Sequence, residues 1–237
     1  ASIGIGLAFL AGGWIVYDLL CRSPIGRREP ILAAVMLVLC AFAAYALTQL
    51  YSGRGAYIHF GAMLGTIMTA NVFFVIMPGQ REMVKARVEG RAPDPVHAAR
   101  GKQRSVHNTY FTLPVLFTMI SNHYALFTNA KWNWLVLMAI ALAGVFIRLF
   151  FTFRHRGVVK PSFWAIGIAL LTGVFVALMP RGAGTAAGEA TFADVQAIVV
   201  ARCAGCHAAT PTFAGFAAAP KNVLLDTSER ILAQSKL

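Results

Sequence analysis

The sequence predicts an all-α fold: a polytopic bundle of six transmembrane helices, then a small helical domain at the C-terminal end. Three observations predict it. Of 237 residues, 58% are hydrophobic and only 13% are charged, far from the composition of a soluble domain. The apolar residues collect in runs near the length of about 20 residues that a helix needs to cross a bilayer. The basic residues behind the net charge of +12 lie between those runs. Such a distribution is produced by membrane topology, and it argues against a nucleic-acid partner.

The runs are Ile3–Leu20, Ile31–Tyr51, Tyr57–Met77, Tyr110–Phe127, Trp132–Phe151 and Ser162–Met179. The first has no basic leader and no small-residue cleavage site, so it reads as a span and not as a signal peptide, with further residues expected upstream. Tyr51, Tyr57, Tyr110, Trp132, Trp134 and Trp164 sit at span ends, where amphipathic rings meet the headgroups. Gly61 and Gly65 stand four apart in the third run, a spacing that lets another helix approach closely. Cys21 and Cys40 lie in or beside apolar runs and read as packing residues.

Loop charge sets the expected orientation. The first, third and fifth connections carry three, seven and three Lys or Arg, thirteen together, against Arg54 and Lys131 in the second and fourth. The positive-inside rule then assigns the odd connections to the cytoplasm, and everything after Pro180 to the other side. The spans occupy residues 1–180, and the small-residue stretch 181–188 reads as a flexible linker.

Residues 189–237 form the second predicted domain. A short amphipathic helix, Phe192–Arg202, with Val195, Ile198 and Val199 on one face, leads into Cys203-Ala204-Gly205-Cys206-His207. Two cysteines three apart followed by histidine are the attachment signature of c-type haem, the thiols adding to the vinyl groups and His207 ligating iron. A zinc half-site or a redox dithiol are the alternatives. Zinc lacks further Cys or His ligands after His207, and no βαβ pattern accompanies the pair. Pro211 is expected to offer its carbonyl to the second ring nitrogen of His207. No Met follows Met179 to supply the usual second axial ligand, so a truncated c-type cytochrome domain is expected, with a non-Met ligand or an open iron site as alternatives. Haem attachment needs an oxidising, extracytoplasmic compartment, which agrees with the side chosen by loop charge.

Polar groups inside spans are costly and mark candidate sites. They form two layers. Near the outer face lie His59, Asn122, His123 and Tyr124; toward the inner face lie Tyr17, Asp18, Asn71, Gln80, His107, Asn108 and Arg148. An Asp18–Arg148 ion pair is expected in the inner layer. His59 and Tyr124 also read as interfacial groups, Arg148 as a side chain snorkelling to the headgroups, and Asn71 as a helix bridge. His59 and His123, if facing, would suit a b-type haem.

At these residues the chain resembles the bacterial membrane-anchored urate oxidase (urate hydroxylase) family, which carries a C-terminal cytochrome c domain. The stretches that carry the resemblance are residues 13–23 (GWIVYDLLCRS), 69–80 (TANVFFVIMPGQ), 104–108 (RSVHN), 110–117 (YFTLPVLF) and 121–124 (SNHY), together with the haem motif. The resemblance implies oxidation of urate to 5-hydroxyisourate, with electrons leaving through haem c to a respiratory-chain acceptor such as a cytochrome. It places the chain in the bacterial inner membrane, the cytochrome domain on the periplasmic side. Family members carry further helices upstream, and their cytochrome domain extends further.

Urate is planar and anionic, so its site should offer a cation, amide partners and a base. Arg148 is a candidate cation. Asn71, Gln80 and Asn108 are candidate edge readers and His107 a candidate base, with Asn122 and His123 as the competing outer location. Two other readings stand beside this one: a quinol-linked electron-transfer cytochrome without purine chemistry, and a transporter with a cytochrome appendage.

Overall fold

The computed structural model describes residues 2–179, 191–213 and 216–234. Among them every regular element is helical. The chain forms two compact units, Ala1–Met179 and Pro180–Leu237. The expected linker, 181–188, lies outside the described residues.

The first unit contains α1 (Ser2–Arg22), α2 (Glu29–Leu50), α3 (Gly53–Asn71), α4 (Met77–Val88), α5 (Pro95–Ile120), α6 (Ala125–Thr128), α7 (Asn133–Arg154) and α8 (Pro161–Leu178). A π-helical turn, Val72–Ile76, joins α3 to α4 without a break. Pro78 explains it: proline has no N–H to give the carbonyl of Phe74, and its ring crowds that carbonyl, so the backbone widens there.

Among the described residues five helices are long and apolar enough to cross a membrane: α1, α2, the continuous Gly53–Val88, α7 and α8. Six were expected. The exception is the run Tyr110–Phe127. Its helix, α5, begins at Pro95 and ends at Ile120, and the chain then turns through a 3-10 segment, Ser121–His123. The first half of α5 carries Arg100, Lys102 and Arg104, so most of its length is too polar for the same class.

Helix α3 supplies the centre of the core. Tyr57, Phe60, Leu64 and Ile67 recur at helical spacing on one of its faces and are buried with Tyr17 of α1, Leu47 of α2 and Leu137 of α7. The outer surface is apolar instead. Phe42, Phe74 and Phe175 are all more than half exposed. Burial is thin toward the outside because a lipid-like surround would stabilise those faces. Where α3 meets α5, a methyl group at Gly61 would overlap Thr118, whereas one at Gly65 would meet nothing. Only the first glycine of the predicted pair therefore serves a close approach.

In the second unit α9 (Phe192–Arg202) matches the predicted amphipathic helix. A capping box starts it: Thr191 Oγ1 accepts from the Asp194 N–H, and the Asp194 carboxylate accepts from the Thr191 N–H. Val195 and Ile198, expected on its apolar face, are exposed. The last helix, α10 (Ser228–Gln234), is tied to α9 by a hydrogen bond from Ser228 to Gln196 of 2.9 Å.

Candidate functional site

The inner polar layer becomes one hydrogen-bonded network built on α1, α2, α3 and α5. Asn71, fully buried at the end of α3, is its hub. Its amide donates to the Tyr17 hydroxyl (3.2 Å) and to Asn108 Oδ1 (2.9 Å), and its carbonyl accepts from Arg104 Nη1 (3.2 Å). Asn108 donates in turn to the Met68 carbonyl at 3.0 Å. Asn71 supplies the donor to Tyr17, so the phenolic proton points to His107 Nδ1 at 2.8 Å. That leaves His107 Nε2–H to donate to Glu29 Oε2 at 3.1 Å, while Gln103 donates to Oε1 at 2.9 Å. The chain of bonds runs from a buried phenol to a carboxylate whose side chain is 61% exposed.

Charge in this layer is balanced by a different cation from the expected one. Asp18 pairs with Arg104 at 2.8 Å, not with Arg148, and it also holds Arg22 at 2.6 Å. Arg104 side-chain exposure is 3%, and its guanidinium lies 4.8 Å from the centre of the Tyr17 ring. Arg148 instead donates to the Thr109 carbonyl on the neighbouring helix. Gln80 is exposed and stands outside the network. Thus Asn71, His107 and Asn108 come together as expected, whereas Gln80 and Arg148 do not join them.

Arg104 and Glu29 escaped the sequence reading. Arg104 looked like one more cation in a basic connection. The available signal was its spacing from His107 and Asn108, three and four residues along one helix face. Glu29 lies in the first connection, outside the apolar runs searched for polar groups.

The outer layer is assembled differently. Tyr57, below it, donates its hydroxyl to the carbonyls of Asn133 (2.7 Å) and Phe127 (3.1 Å), and the buried Ser121 donates to Thr118. His59 stacks on Tyr51 and bonds the Gly55 carbonyl, with α1 close by at Gly6. His123 and Asn122 lie on the 3-10 turn after α5, His123 exposed and Asn122 half-buried. Neither side chain is taken up in a hydrogen bond among the described residues, unlike the amides of the inner layer.

The comparisons with known proteins now bear on these elements. The family model described as urate oxidase N-terminal matches residues 1–179, every helix of the first unit. The chain belongs to the urate oxidase N-terminal family. Neither the curated proteins nor the solved structures give a match. Membership of the urate oxidase N-terminal family relates the chain to oxidoreductases acting on urate. It covers both polar layers of the first unit and ends before the second.

The Cys203–His207 motif of that second unit caps α9. Cys203 is the C-cap residue, and the N–H groups of Cys206 and His207 both bond its carbonyl. His207 Nδ1 donates to the carbonyl of Val223 at 2.9 Å, not to that of Pro211. The segment after Val223 runs beside the motif, with the Leu225 N–H donating to the His207 carbonyl at 2.7 Å. It thereby reaches the ring before Pro211 does. A histidine whose Nδ1 is fixed on a carbonyl keeps the Nε2 lone pair for a metal, and two free thiols stand beside it, so the donor set fits a covalently attached haem. Among the described residues no group of three or more His, Cys, Asp or Glu side chains gathers as a metal site. The adjoining loop is pinned by Asp226, which accepts from the Ala209 N–H and pairs with Arg230 at 2.7 Å. Those two donors hold the Asp226 carboxyl below its ordinary range.

Proposed function

We propose that this protein is a membrane-bound urate oxidase, converting urate to 5-hydroxyisourate with electrons delivered to haem c on Cys203, Cys206 and His207. The observation that carries the reading is the family match across all eight helices of the first unit. The overall change is urate plus water to 5-hydroxyisourate, two protons and two electrons. Haem c, when bound, supplies a one-electron acceptor that passes electrons to a respiratory-chain partner.

Urate is assigned to the outer layer. Its N–H and carbonyl edges need free partners, and the cost of burying an unpaired amide edge is roughly 1–3 kcal/mol. Asn71, Asn108 and Arg104 are already committed to one another, which makes them positioning groups for the inner network. Asn122 has an uncommitted amide for an edge of the purine, and exposed His123 is the base for the proton lost on oxidation. With α5 counted as a sixth crossing beside the five apolar helices, thirteen of the fifteen cations between the runs lie on one side, and the positive-inside rule then assigns the Ser121–His123 turn and Cys203–His207 to the periplasmic side. Among the described residues five helices suit a bilayer by length and composition, and α5, apolar from Tyr110 to Ile120, is read as the sixth crossing.

Anaerobic mixing of the haem-loaded full chain with urate, followed at the haem absorption bands, tests the reading. Reduction is expected in the wild type and in His107→Gln. In His123→Ala the rate falls by about a hundredfold or more, the scale of a lost general base. Absence of reduction in the wild type overturns the urate assignment. A slow His107→Gln beside a normal His123→Ala overturns the choice of layer.

A further inference from the structure

The inner network borders a cavity of about 350 Å³, within the small-molecule range that starts near roughly 300 Å³. Its walls are almost wholly apolar and include several flat rings, among them Phe60, Phe111 and Phe146. The polar groups lining it are Tyr17, Glu29, His107 and Tyr110. His107 and Tyr110 stand one turn apart on α5, so their polar atoms share one end of the space. Leu37 of α2 also lines it and is 42% exposed, which brings the cavity to the flank of the bundle.

This chemistry excludes urate: dry walls would strand most of its amide edges. It also exceeds what an acyl chain requires, which has no use for a hydroxyl, an imidazole and a carboxylate at one end. The matching molecule has a flat ring with hydrogen-bonding oxygens and an apolar tail, and it enters from lipid. We infer that the cavity binds the ring of a membrane quinone or quinol. A quinone oxygen accepts from the Tyr110 hydroxyl, and a quinol hydroxyl donates to a Glu29 carboxylate oxygen, which has a lone pair to spare beyond the His107 and Gln103 bonds. The ring stacks among the phenylalanines, and the tail leaves past Leu37 toward the bilayer. The inference rests on the membrane reading but not on purine chemistry.

The test is titration of the purified full chain with decyl-ubiquinone in detergent, read by quenching of intrinsic fluorescence. Saturable binding to one site is expected. Tyr110→Phe should weaken it by about tenfold, one hydrogen bond's worth. Leu142→Trp, which fills the α7 wall, should abolish it; Ala34→Phe does the same from α2 if the first variant does not fold. Urate-driven haem reduction in Leu142→Trp should match wild type, which keeps this result separate from the urate assignment. Absent saturation, or equal displacement of the quinone by a plain decyl chain, overturns the inference. So does unchanged affinity in both wall variants.

Discussion

Arg104 shows how much one side chain carries in this bundle. It neutralises buried Asp18, holds the carbonyl of the hub Asn71 and covers the face of Tyr17. Truncation leaves Asp18 with only the largely exposed Arg22 and takes a donor from Asn71. Arg104→Ala should lower stability by about 3 kcal/mol, the low end of the loss on breaking a buried pair from one side, because Arg22 still partners the carboxylate. Thermal unfolding in detergent measures it. Arg104→Lys should restore only part, because an ammonium cannot fork to two partners while lying flat over a ring. An unchanged melting temperature in Arg104→Ala would remove the ion pair from any structural role.

Asp226 acts in the same way on the second unit, and through pH. Its folded-state carboxyl is held low by the Ala209 N–H and the Arg230 guanidinium. A carboxyl depressed on folding adds stability above its unfolded value of about 3.9, and that stability drains away as pH falls through the lower folded value. Acid unfolding of the second unit should thus begin below about pH 4. Asp226→Asn should flatten that limb, followed by circular dichroism across the acid range.

At the scale of elements, the α3–α5 contact is the tightest test of the packing. Gly61 leaves no room for a side chain against Thr118, and Gly65 has open space. Gly61→Val should cost about 1–3 kcal/mol by overpacking. Gly65→Ala should be neutral or slightly stabilising, since alanine favours the helix by about 1 kcal/mol. Equal effects at the two sites would refute this account of the interface. Helix α5 shows where hydropathy alone misreads an element. Its apolar half made a span of Tyr110–Phe127, but the helix stops at Ile120 and the next seven residues fold into a 3-10 turn and α6. The polar half, which read as a connection, is helical too, and it brings Arg104, His107 and Asn108 into the core. Conversely, Tyr17, Asp18, Asn71, His107 and Asn108 were legible as one layer, because depth along a helix follows from residue count. Which cation meets Asp18 was not legible, because azimuth around the bundle depends on how helices dock.

For the whole molecule the decisive quantity is orientation. Proteolysis of intact spheroplasts with added trypsin should release the tail that carries Cys203 and Cys206 and spare Arg91 in the turn between α4 and α5. Cleavage in that turn with a protected tail would reverse the proposed topology, and with it the electron route to haem.

The sequence by itself determined that the chain is helical, that its long runs suit a bilayer, and that Cys203, Cys206 and His207 stand together in one Cys-x-x-Cys-His run. Those are properties of composition and of spacing along one chain. Only the tertiary structure decided that Arg104 and not Arg148 meets Asp18, that Val223 and not Pro211 holds His207, and that Glu29 ends the Tyr17–His107 chain. Each is a contact between segments far apart in sequence or set by a turn. The approach of two helices, not the pattern within either, chooses such partners.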